Sequence, residues 1–280
     1  MTAGEFSEVN EKIVSQFMQN RENIPIDACQ KIFDNLQKEK ITLIPYCDQR
    51  YPTNLRKMET NKIPRVLYHQ GEKIAIQKGI AVVGTRNAST HAIEKARELG
   101  RVLPEHGFMI VSGLARGIDA AAMRGSISVK GKTIAVLPWI HNPYPPEHER
   151  LLEEVKANGS VISENYVSSG PMDKYKFLQR NAIISALSEA LIAVESSYSG
   201  GTRWQVELAI AQKKVVIAVE PEQSNQLAYE GFDRFIKNGA LPAKDVSEVL
   251  EILKREIKPS EHVLEEYESI ENDVKPLLTQ

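Results

Sequence analysis

This sequence is short of cysteine, of aromatic residues and of excess charge of either sign. It also has no long hydrophobic run. Its two cysteines, Cys29 and Cys47, are too few for a disulfide-stapled scaffold, and free thiols in a reduced compartment are expected. No stretch reaches the roughly 20 apolar residues of a membrane helix. The opening "MTAGEFSEVNEK" has no apolar core of a secretory signal, so the expectation is a cytoplasmic protein with no membrane partner. Lys and Arg together number 35 against 37 Asp and Glu, a net charge of −2. A chain of this balance does not attract nucleic acid as a whole, and any such site must be a local patch. There is no internal repeat and no low-complexity tract.

What is present is a regular alternation. From residue 80 onward, short apolar runs recur: "IAVVG", "FMIVSG", "TIAVLP", "SVISE", "LIAVE" and "VVIAV". Helix-like stretches lie between them: "HAIEKARELGRVLPEHG", "DAAAMRGSISVKG", "PPEHERLLEEVKANG", "KFLQRNAIISALSEA" and "TRWQVELAIAQKK". Strands that are apolar at every position are buried on both faces, and their alternation with helices predicts a mainly parallel sheet between helical layers. The fold class expected is α/β, a Rossmann-like three-layer domain over residues 62–245. Residues 1–61 read as a small helical N-terminal lobe, with strand-like "ITLIPY" inside it. Residues 246–280 read as a short tail, helical in "DVSEVLEILKREI" and acidic beyond, without a winged helix.

In such a sheet, ligands bind beyond the carboxyl ends of the strands. Three segments there combine glycine, a hydroxyl and arginine: Gly84-Thr85-Arg86, Ser112-Gly113 with Arg116-Gly117, and Gly200-Gly201-Thr202-Arg203. Glycine permits close backbone approach, a helix N-terminus attracts anions, and arginine presents a fork suited to phosphate. A further constellation, Lys174, Lys176, Phe177, Arg180 and Asn181, interleaves bases with aromatics, a pattern suited to a single nucleic-acid strand or equally to a helix start whose aromatics face the core. "GTRNAS" stands where a dinucleotide-binding G-x-G-x-x-G would stand, and neither a P-loop nor a G-x-S-x-G elbow occurs. No cofactor is expected. "HNPYPPEHER" groups His141, Glu147, His148 and Glu149, but the spacing matches no common zinc pattern, and no metal is expected. Asp119 falls where a first-turn helix acid is favourable without further role. Glu164, Glu195 and Glu207 are the candidates for acid–base chemistry, Glu207 foremost.

The ordered set "AVVGTR", "IVSGLARGIDAAA", "KTIAVLP…YPPEHERL", "VISE", "FLQRNAIISALSEALIAVE" and "SGGT…ELA", with the lead-in "YPTNLRKM…IPRVLYHQG", resembles the bacterial DNA-processing protein A (DprA/Smf) family over residues 44–245. The resemblance implies a Rossmann-like fold that binds single-stranded DNA, protects incoming strands in natural transformation and loads a RecA-type recombinase. It implies no catalysis and a homodimer, with DNA contacts on the basic loops at Arg86 and Arg116 and with Arg180 nearby. The apolar "LIAVE" and "VVIAV" end of the sheet is a further ground for expecting the homodimer. The chain departs from the family pattern at Met123, where the family has histidine, and at Ala182, where a basic residue is usual. It departs also at Gly200 to Arg203 and at Glu220-Pro221. "RN…SGGT…E" is similar as well to the cytokinin-activating phosphoribohydrolases, which would make Glu207 catalytic on nucleoside monophosphates. Here Glu207 lies five residues after Thr202 instead of three, with Gln205 in the expected place. The alternative to DNA binding is therefore a nucleotide sensor or an enzyme of that kind.

Overall fold

The computed structural model describes residues 26–72, 78–141, 145–167, 174–197 and 200–257. Residues 1–25 of the expected helical lobe and the acidic tail lie outside them. The chain divides into two compact units, 1–42 and 43–280. In the first, helix α1 (Ile26–Lys38) is followed by Lys40 at φ 54°, and Ile41 N–H donates to Leu36 O at 2.8 Å, so the main chain itself closes the helix end.

The second unit is built on one sheet. Its strands are β1 (Thr42–Pro45), β2 (Val66–Gly71), β3 (Gly79–Val83), β4 (Met109–Ser112), β5 (Thr133–Leu137), β6 (Gly159–Ser163), β7 (Ala190–Ala193), β8 (Val215–Val219) and β9 (Leu241–Ala243). The spatial order is β1-β2-β6-β5-β4-β3-β7-β8-β9. From β6 through β9 every pairing is parallel, and β2 pairs antiparallel with β6, Tyr68 opposite Ser163. The sheet is thus the mainly parallel one that the apolar runs predict. Strands β3, β5, β6 and β7 are buried at every position, which is why their sequences show no alternation.

The helices are α2 (Thr53–Arg56), α3 (Thr90–Glu105), α4 (Ile118–Ser128), α5 (Glu149–Asn158), α6 (Lys174–Leu187), α7 (Thr202–Ala211), α8 (Gln226–Lys237) and α9 (Val246–Glu256). Going from β3 to β6 the chain steps one way across the sheet, and from β7 to β9 it steps the other way. Right-handed crossovers then put α3, α4 and α5 on one face and α7 and α8 on the other. Helix α9 packs with α3, β8 and β9. The reversal falls between β3 and β7, so a crevice opens beyond their carboxyl ends. Among the described residues, no helix is long and apolar enough to cross a membrane.

The alanine-rich stretch has a packing role. In α4, Ile118 to Met123, Gly125 and Ser126 are all buried. A Cβ on Gly100 of α3 would lie 2.0 Å from Ala122 O, and one on Gly125 would lie 2.1 Å from Arg97 O. The two helices therefore meet backbone to backbone, which larger side chains would prevent. Met123, where the family has histidine, is fully buried in the same hydrophobic core.

Candidate functional site

Two strand ends and one helix start meet at the carboxyl edge of the sheet. The loop after β3 brings Arg86, and the loop after β4 brings Gly113, Ala115 and Arg116. The first two turns of α6 bring Phe177 and Arg180, and Pro145 closes the side; these seven residues line one small cleft. The loops are held by main-chain contacts. Thr85 N–H donates to Glu195 O at 2.7 Å, and Ile118 N–H to Thr85 O at 3.4 Å. Gly117, at φ 73°, lets the β3 loop pass so close that a Cβ there would sit 2.4 Å from Thr85 O. Gly84 serves likewise, since its Cβ would meet Ile118 at 2.4 Å. Leu114 takes φ 57° in the same turn, a backbone state uncommon for a residue with a side chain.

Arg180 lies at the base of the cleft, only 6% exposed. A Cβ on Gly113 would fall 1.2 Å from its Nη1, so the guanidinium occupies the space a side chain would take. Its partner is Asp119, 3.7 Å from Nη1 and itself buried. Asp119 Oδ2 also accepts from Gly113 N–H at 3.1 Å and Ala115 N–H at 3.4 Å. The acid read as a first-turn helix residue thus ties the preceding loop and neutralises a buried cation. Burial pushes its carboxyl up, while Arg180 and the two amides pull it back. Burial lowers Arg180, Asp119 raises it, and the neighbouring charge of Arg86 lowers it again. Arg180 Nε is buried with no hydrogen-bond partner among the described residues.

Phe177 is the centre of an aromatic and cationic cluster. The Arg86 guanidinium carbon is 5.4 Å from its ring centroid and that of Arg180 is 6.0 Å away. Trp139 meets the ring edge-on at 5.7 Å. Arg116 is paired with Glu147, which stands on a short 3-10 turn (Pro146–His148) before α5. The Arg116 hydrogen bond is the largest cause holding the Glu147 carboxyl below its ordinary range. Arg86 is exposed and has no ion pair among the described residues. Of three cleft arginines, two face carboxylates and one does not. The amides of Gly113, Ala115, Ile118 and Ala120 are committed to Asp119, Thr85 and Ala115. An anion entering the cleft therefore meets guanidinium groups ahead of helix N–H groups.

The remaining sequence candidates take other places. Ser112 is buried, and its hydroxyl donates to Val82 O at 2.7 Å. Lys176 donates to Val167 O at 2.6 Å. Lys174 is the first residue of α6, its side chain outside the described set, and Asn181 is half-buried beside Arg180. Gly200, Gly201, Thr202 and Arg203 open α7 and do not line the cleft. Arg203 faces Glu207 at 3.4 Å and lies over the exposed Trp204 ring at 4.4 Å. Glu207 is held between Arg203 and Arg234, the latter at 3.3 Å. Glu195 accepts from Ser89 N–H (3.0 Å), Ser89 Oγ (2.7 Å) and Asn225 Nδ2 (3.2 Å), a structural junction of two helix starts. Burial raises the Glu164 carboxyl at the end of β6. Sequence reasoning missed Ala115 and Glu147, and gave Asp119 no part in the cleft.

The family described as DNA recombination-mediator protein A matches residues 42–254. Protein Smf of Synechocystis sp. is 33% identical over 243 residues, 85% of this chain and 59% of that protein. The chain spans about three-fifths of the length of the first curated relatives that it resembles (59%, 58% and 62%). Among solved structures, DNA processing protein A from Streptococcus pneumoniae superposes with TM-score 0.72 at 27% identity, over 84% of this chain and 80% of that one. DNA processing protein A from Helicobacter pylori, described by its single-stranded DNA binding mode, shares the fold with TM-score 0.64 at 23% identity, over 77% and 96%.

Proposed function

The chain belongs to the DNA recombination-mediator protein A family, and from that premise we propose that it binds single-stranded DNA through the arginine cleft without turning it over. The observation that carries this reading is the convergence of Arg86, Arg116 and Arg180 around Phe177, beside the crevice where the sheet order reverses. Phosphate on Arg86 and Arg116 with a base near the ring cluster is the arrangement used for single strands. Buried Arg180, paired with Asp119, shapes the floor of the cleft. We assign the other predicted contacts, Lys174, Lys176, Asn181 and Gly200 to Arg203, to the flanks of the strand's path. The commitments of Glu195 and Glu207 to neighbouring donors favour binding over acid–base chemistry.

The wider role follows the family: protection of incoming DNA and loading of a RecA-type recombinase, by a cytoplasmic homodimer. The dimer finds its support in the resemblance alone, because β7 and β8 are covered within the chain and offer no apolar face. Light scattering at micromolar concentration tests it, with a dimer mass expected. The DNA site is tested by anisotropy of a labelled single-stranded oligonucleotide. Arg86→Gln is expected to cost about tenfold or more, the range for a charge-assisted contact, and more than Arg116→Gln. Unchanged affinity in the Arg86→Glu, Arg116→Glu double variant, with an unchanged melt, would refute the assignment.

A further inference from the structure

Arg116 is not an open receptor. It stands beside Glu147, a carboxylate carried by the turn that joins the Pro145 wall of the cleft to helix α5. That turn is anchored: His148 is buried, and its Nδ1 lies 2.8 Å from Leu114 O, so the imidazole N–H donates to the same loop that carries Arg116. Its main chain is tied as well, His148 N–H to Pro145 O at 3.1 Å. The Glu147 backbone is thereby fixed against the β4–α4 loop, while its side chain remains about half exposed, as does that of Arg116 (45% and 55%). A carboxylate and a phosphate oxygen make the same charge-assisted bond to a guanidinium. We propose that Glu147 is a built-in competitor for phosphate at Arg116, occupying the anion position until an arriving strand displaces it.

This inference rests on the DNA-binding reading, and assigns to one carboxylate of that site the control of its affinity. Arg86, with no such partner among the described residues, makes the first contact; Arg116 engages only as the Glu147 side chain swings aside. The competitor leaves a second signature. In the native protein, Arg116 and Glu147 form a pair neutral overall, so a phosphate taken up at Arg116 gains no net neutralisation and frees few of the strand's cations. With the carboxylate removed, the site gains one positive charge, cations held by the strand are released at that phosphate, and the salt dependence steepens.

The experiment measures single-stranded oligonucleotide affinity against salt for the native chain, Glu147→Gln, Arg116→Gln and the double variant. Thermal melts verify that each is folded. Glu147→Gln is expected to bind about two- to fivefold tighter at low salt, the scale of an exposed ion pair. Its log–log salt slope is expected to steepen by up to about 0.7, one phosphate's share on a single strand. The gain must vanish when Arg116 is also replaced. Weaker or unchanged binding by Glu147→Gln, while Arg116→Gln does weaken binding, overturns the competitor and leaves the DNA site standing. If Arg116→Gln changes nothing, the assignment of that arginine to DNA falls, and the competitor falls with it.

Discussion

Gly113 has no side chain because Arg180 fills its space. Gly113→Ala puts a methyl 1.2 Å from Nη1 and must unseat the guanidinium, stranding Asp119 in the interior. The expected loss, by urea titration, approaches that of Arg180→Met, about 3–5 kcal/mol for a buried pair broken on one side. Replacing both Asp119 and Arg180 with apolar residues should cost less than either single change, because no lone charge is then buried. At this scale the sequence is informative about position and blind to pairing. Arg86, Arg116 and Arg180 could be picked out because they follow apolar runs or open a helix. Asp119 looked like a helix acid because the first-turn preference is local, whereas its partner is brought in by a different crossover. Glu147 stands 31 residues from Arg116, and nothing in "PPEHER" says which cation it meets.

At the scale of elements, the strands and most helices were legible because burial writes itself as continuous apolar runs and glycine marks their ends. The runs 133–138 and 215–219 coincide with β5 and β8 to within a residue. Helix α8 and strand β9 were not read. The strand has three residues, one of them Pro242, and the helix follows polar "EPEQSNQ" with Gly231 in its middle. Gly231 is there because Ser196 O would lie 1.9 Å from a Cβ, a demand of tertiary packing. The segment before the third glycine loop, Ser196-Ser197, is what meets α8 at Gly231, and the loop itself lines no part of the arginine cleft. Two variants probe these joins. Gly125→Ala in the α3–α4 crossing is expected to destabilise by about 1–3 kcal/mol through overpacking, read by urea titration. Lys95→Met removes Nζ from the carbonyls of Glu220 (3.0 Å) and Lys244 (2.6 Å). The loss expected from those orphaned acceptors is about 1–3 kcal/mol, and a melt no lower than native would contradict it.

The whole molecule is weakly acidic, so nothing in its far field draws DNA toward it. Binding should depend on salt chiefly through the cleft, with a log–log slope of about −0.7 to −1.4 for the phosphates at Arg86 and Arg116 and about −0.7 more for each flanking cation that engages a single strand; a slope several times steeper would place the interface elsewhere. Global stability has its own pH signature in His69, buried on β2 with Nε2 2.7 Å from Glu72 O. Burial lowers this imidazole below 6.5, so as pH falls through 6.5 the unfolded chain takes a proton that the folded chain refuses. Stability is therefore lost with acidification from that point down to the folded-state value, and His69→Gln should flatten this part of the melting-temperature profile. The crossing of α3 and α4 has a consequence of another kind. The loop bearing Arg86 leads into α3 and the loop bearing Arg116 into α4, and main chain touches main chain where these helices meet. The gap between the two guanidinium loops is thus gauged by polypeptide backbone, which has no rotamers to adjust. The cleft works as a fixed caliper on the repeat of a charged polymer, and Gly100, remote from every phosphate, is one of its set screws.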